Sequence, residues 1–155
     1  MENARLLVSR SGLGRSNAGL VYANISLKVG ESIFPSVDWT DFVVVVLTWW
    51  AEAMVRLLRG ELERVKVRFM EGPYSVDIIR LSHEVWHIRC IETGRESRVN
   101  HEADVDSAVL VTSILGGIEV ALSVCREHNW WSPDADALLQ SKSDLLTEVS
   151  DASGA

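Results

Sequence analysis

From Leu20 to Val29 the chain alternates strictly. Val21, Ala23, Ile25, Leu27 and Val29 share one face, and Leu20, Tyr22, Asn24, Ser26 and Lys28 share the other. A period of two predicts a strand with its first set toward a core, and Gly30-Glu31 supplies the turn after it. Further on the period changes. Val43, Val46, Leu47, Trp50, Met54 and Leu57 fall on one helical stripe, and Asp41, Thr48, Glu52, Arg56 and Arg59 fall on another. This predicts a helix that starts within Ser36 to Asp41, capped by Asp38 or Asp41, and stops at Gly60. Its first half is apolar almost all round, so it needs cover on more than one side, from the same chain or from a second copy.

Three short runs follow: Val65 to Met70, Ser75 to Leu81 and Val85 to Glu92. Turn signals separate them at Glu71-Gly72-Pro73-Tyr74 and at Ser82-His83-Glu84, which predicts a three-stranded antiparallel meander. Residues 94 to 101 read as a polar loop with room for a short edge strand. Ala108, Val111, Leu115, Ile118, Leu122 and Cys125 recur at helical spacing, so Asp104 to His128 is predicted as one long helix. Gly116-Gly117 marks a kink or a close contact within it. Ser132-Pro133 opens a last helix to about Val149, with Leu138, Leu139, Leu145 and Leu146 inward. The expected fold class is α+β: an antiparallel sheet of four to five strands, one helix inserted after the N-terminal strands, and two C-terminal helices packed on it. The 155 residues form one domain in this reading, with 1–19 and 150–155 as mobile ends.

Composition narrows the class. Hydrophobic residues make up 47% and charged residues 24%, the balance of a globular domain. Met1-Glu2-Asn3 does not begin a signal peptide, and the longest apolar stretch, Phe42 to Ala51, is about half a bilayer span. The expectation is a cytoplasmic protein without a membrane anchor. Cys90 and Cys125 lie in apolar surroundings and read as buried, reduced thiols. Net charge is −7, unevenly placed. Residues 1 to 95 hold 12 Lys or Arg against 11 Asp or Glu, and residues 96 to 155 hold 3 against 11. An acidic half argues against nucleic acid and suits a basic protein partner.

The sharpest chemical pattern is His83-Glu84-Val85-Trp86-His87, spelled H-E-x-x-H. In a zinc hydrolase the two histidines share one ion from successive turns of a helix, and the Glu serves as general base. On a strand the same spacing covers roughly 13 Å and cannot serve one ion. The segment is rich in Val, Ile and Trp and divides at Ser82-His83-Glu84, so strand–turn–strand is the simpler reading. The expectation is therefore no metal and no catalytic set, with zinc on His83 and His87 and Glu84 as base as the alternative. Gly12-Leu13-Gly14 is followed by a glycine at 19, not 17, and by a strand, so the dinucleotide fingerprint fails. Asp134 and Asp136 lack the glycine and closing Glu of a calcium loop and read as acids in a first helical turn.

Six tryptophans include the adjacent pairs Trp49-Trp50 and Trp130-Trp131. Most are expected in the core, with Trp49 or Trp131 as a candidate surface anchor. The stretches Val67-Arg68-Phe69-Met70-Glu71-Gly72-Pro73-Tyr74, Trp86-His87-Ile88-Arg89-Cys90 and Cys125-Arg126-Glu127-His128-Asn129-Trp130, with the order of elements, resemble small bacterial immunity and immunity-like proteins of polymorphic toxin systems. The resemblance covers the middle and end of the chain and its motifs are structural. It implies a non-enzymatic cytosolic inhibitor that plugs a toxin, and it carries over no functional residue. The partner-binding surface expected from charge is Glu102, Asp104, Asp106, Asp134 and Asp136, with Trp131 nearby.

Overall fold

The computed structural model describes residues 1–153, and side chains through 152. The class is α+β, built from two four-stranded antiparallel sheets and three helices. The first sheet holds β1 (Ala4–Arg15), β2 (Val21–Val29), β3 (Ser32–Phe34) and β4 (Thr40–Asp41), with β2 central. Helix α1 (Val43–Arg59) then leads to the second sheet, a meander of β5 (Arg64–Arg68), β6 (Tyr74–Arg80), β7 (Val85–Thr93) and β8 (Ser97–Asp106). Helices α2 (Ser107–Glu127) and α3 (Pro133–Ser153) complete the chain.

The alternation in β2 holds as expected: Val21, Ala23, Ile25, Leu27 and Val29 are all buried. So does the α1 stripe, with Val43, Val46, Leu47, Trp50, Met54 and Leu57 in the core. Val44 and Ala51 are buried too. The helix is thus covered on several sides within one chain, by β2 and β5 and by α2 and α3. Gly60 ends it in the left-handed conformation at φ 73°, and its N–H reaches the Leu57 carbonyl at 3.1 Å. The turn at 82–84 and the strands on either side of it also form as read.

Several boundaries differ from expectation, each for a physical reason. Residues 4–15, read as a short apolar run and a loop, form strand β1, paired with β2 through a register shift between Ser9 and Gly14. Their glycines suggest a loop, yet Gly12 sits at φ 67° within this irregular stretch and Gly14 lies directly under the Tyr22 ring. The polar stretch 97–106 is strand β8, a ten-residue edge in which only Val105 is fully buried. An edge strand needs few apolar residues, which hides it from a periodicity reading. Helix α2 consequently starts at Ser107, not Asp104. Asp106 caps it, accepting from the Ala108 and Val109 N–H groups at 2.9 and 3.4 Å. Asp38 and Asp41 do not cap α1. Asp38 turns the chain at φ 63°, and Asp41 is buried. The Asp41 carboxylate accepts from the Phe42 and Glu71 N–H groups and from the Trp39 indole. Leu138 and Leu145 face the core, whereas Leu139 and Leu146 face solvent. Of the C-terminal end expected at 150–155, residues 150–153 continue α3 as helix, and 154–155 lie outside the described residues.

A strand-to-helix exchange divides the sheets. Glu2 donates its N–H to the Asp104 carbonyl at 3.0 Å, a single parallel bridge between the start of β1 and the end of β8. Beyond that point α2 replaces β8 beside the free edge of β1. The Leu6 N–H donates to Ser113 Oγ at 2.8 Å, Val8 packs on Gly117, and Arg10 pairs with Glu127 at 2.6 Å. The glycine signal at 116–117 thus marks a close approach to a strand. α2 is long and apolar enough to cross a membrane by length and composition alone, and half of the qualifying window is buried inside the protein. Ser, Thr and Glu119 punctuate its apolar residues, so its longest uninterrupted apolar run is short although its mean hydropathy is high.

Candidate functional site

The H-E-x-x-H residues do not share a helix. His83 and Glu84 lie in the β6–β7 turn, and His87 is on β7. Their backbone docks the turn onto the start of α2: Ser107 Oγ donates to the His83 carbonyl at 2.8 Å, and the Ser107 N–H to the Glu84 carbonyl at 3.0 Å. His83 borders a cavity of about 140 Å³ shared with Leu58, Val111 and Val149. His87 instead projects from the solvent-side face of the meander. The one-turn spacing that two zinc ligands require is absent there. Among the described residues no group of three or more His, Cys, Asp or Glu is arranged to hold a metal ion.

His87 has a different set of neighbours. Register places Asp104 opposite His87 and Glu102 opposite Arg89. The ring Nδ1 is 2.7 Å from Asp104 Oδ1, and Nε2 is 3.1 Å from Glu102 Oε2. Arg89 Nε lies 3.5 Å from the same Glu102 oxygen. With a carboxylate at each ring nitrogen, the protonated ring is favoured, and the pKa of His87 is raised, first by Asp104 and then by Glu102. Glu102 and Asp104 are therefore already paired within the sheet. Asp106 is occupied as the α2 cap.

The remaining acids of the expected surface sit elsewhere. Asp134 and Asp136 are exposed in the first turn of α3. That turn follows the end of α2, roughly 30 Å along the helix from Asp106 at 1.5 Å per residue. Residues 102, 104 and 106 and residues 134 and 136 thus form two patches at opposite ends of α2. At the second patch the Trp131 indole donates to Asp136 Oδ1 at 2.8 Å. The Arg126 guanidinium lies over the same ring, 5.3 Å from its centroid. Trp131 is 36% exposed and held on both sides. Next to it His128 and Trp130 stack at 4.4 Å, and Asn129 turns the chain at φ 58°.

Two further surfaces lie apart from these acids, the first at Trp49, the other candidate surface anchor, which is exposed as expected. This is a cleft of about 450 Å³ beside Trp49, lined also by Lys66, Arg68, Met70 and Tyr74. Trp49 and Met70 are exposed there, and Trp50 is fully buried, as the angle between neighbours on a helix requires. The second is a trough on the N-terminal sheet. Its only sequence signal was the pair of glycines at 116 and 117. No protein-family model matches the chain, and neither does any curated protein or any solved structure.

Proposed function

We propose that this chain is a non-enzymatic protein-binding module, an immunity-type cytosolic inhibitor that occludes a basic partner such as a toxin domain. The observation that carries the reading is the Trp131 arrangement. A half-exposed indole is fixed in one orientation by Asp136 and Arg126, and Asp134 beside it has no ion-pair partner among the described residues. An aromatic side chain held rigid before binding loses little entropy on docking, and acids around it steer and select a basic surface.

The binding surface in this reading is Trp131, Asp134 and Asp136. Glu102 and Asp104 contribute less, because they are already paired with His87 and Arg89. The mechanism is steric: a docked α2–α3 corner covers the partner's working surface, and charge sets the association rate. The test compares Asp134→Lys/Asp136→Lys and Trp131→Ala with the unaltered chain for retention of a basic protein drawn from the same host. Retention should fall at least about tenfold for both variants while melting shifts by less than about 2 °C. Undiminished retention, or a loss of stability that accounts for the loss of binding, would overturn the assignment.

A further inference from the structure

A trough of about 420 Å³ crosses the outer face of the N-terminal sheet. Its floor is β1 and β2, including Leu7, Ser9 and Ser26. One wall is α2 at Gly116 and Val120, and the other is the segment that carries Ile33 and Val37. Leu7 is 40% and Val37 65% exposed. The volume falls within the range of small-molecule sites.

Two independent features go with this shape. The first is Gly116. A glycine inside a helix is about 1 kcal/mol less favourable than alanine, so it calls for a reason. Gly117 has one, since a Cβ there would come within 2.7 Å of Val8. Gly116 has none in the packing: a Cβ there would meet nothing within 4 Å. What its missing side chain leaves is open space along the trough wall. The second is charge. Arg5 lines the trough and lies directly opposite Lys28 on the same sheet face. Like charges opposed across two strands repel. Neither side chain has an ion-pair or hydrogen-bond partner among the described residues. Asp38, at the far wall, also lacks one.

We infer that the trough binds a small amphipathic carboxylate, its apolar body against Leu7, Ile33, Val37 and Val120 and its anionic group at Arg5, with Lys28 as the neighbouring cation just outside the lining. Asp38 at the opposite wall disfavours a second anionic group and sets the direction of the ligand. This site is separate from the Trp131 surface and does not rest on the function proposed for it.

The test is calorimetric titration of the full chain with sodium decanoate, with decylammonium as the control of equal length and opposite charge. Decanoate should bind and decylammonium should bind at least about tenfold more weakly. Gly116→Leu should abolish decanoate binding by filling the trough, with a melting temperature equal to or above that of the unaltered chain. Arg5→Glu should weaken binding about tenfold or more, and Asp38→Asn should leave it equal or stronger. The inference is overturned by no detectable decanoate binding, by equal binding of the two amphiphiles, or by unchanged binding in Gly116→Leu.

Discussion

His87 and Asp104 face each other across β7 and β8, with the imidazole Nδ1 2.7 Å from the carboxylate. Glu102 holds the second ring nitrogen, and Arg89 shares Glu102. A histidine in an H-E-x-x-H string thus belongs to a small cross-strand cluster with Asp104, Glu102 and Arg89.

That arrangement sets a pH dependence. The folded pKa of His87 is raised above its ordinary value near 6.5. Its stabilising contribution is therefore fully present below about pH 6.5 and is lost as pH rises through the higher folded value. The contribution is on the order of 1 kcal/mol or less, since the pair is partly solvated. Melting temperatures measured between pH 5.5 and 8.5 should decline over this window, and His87→Gln should remove that share of the decline. An identical pH profile in the variant would refute the assignment.

The adjacent glycines of α2 should respond with opposite signs. Gly116→Ala fills open space and improves helix propensity, so it should stabilise by about 0.5–1 kcal/mol, or about 1–4 °C. Gly117→Ala drives a methyl into Val8 and separates α2 from the β1 edge, at a cost of about 1–3 kcal/mol. Thermal unfolding of the two variants checks both; equal effects would mean that the contact with Val8 is not tight.

Trp50 and Trp86 are fully buried, and neither indole N–H has a hydrogen-bond partner. Leaving a buried donor unmet costs about 1–3 kcal/mol, which offsets part of what the large ring contributes. Trp50→Phe removes that donor and should cost less than about 1.5 kcal/mol. Trp50→Ala also opens a cavity and should cost about 3–5 kcal/mol. Urea unfolding of the pair separates these outcomes, and similar losses in both would show that the N–H is satisfied.

Both cysteines are free and buried, and burial pushes the Cys90 thiol up to about 12 and the Cys125 thiol upward as well. Thiolate is the reactive form. A thiol reagent at pH 8 should leave both unmodified in the folded chain over minutes and label both in denaturant. Rapid labelling of the native protein would contradict their burial.

The elements that sequence made legible are those whose core faces repeat. The β2 alternation, the α1 stripe ending at Gly60, the meander turns and the Ser132-Pro133 start of α3 all follow from local periodicity and local turn chemistry. β1 and β8 are obscured because an edge strand can be polar or glycine-bearing and still pair with the strand beside it, so neither shows the apolar alternation that marks β2. Leu139 and Leu146 read as inward because an apolar residue one position from a buried stripe looks the same in one dimension, yet both face solvent. The acids at 102–106 and 134–136 look like one surface in sequence, but about 30 Å of helix separates them. Whether a carboxylate is free or answered depends on cross-strand neighbours such as His87, which no local pattern reveals. The trough left only Gly116 as a trace, and its meaning required the neighbouring atoms.

In the proposed function the chain works by holding another protein. Native mass spectrometry of the chain, purified gently from its own host, tests this most directly. The expected result is a complex with one basic protein, which disappears in Asp134→Lys/Asp136→Lys. A chain that carries no protein, or that carries one zinc ion lost on His87→Ala, would contradict it.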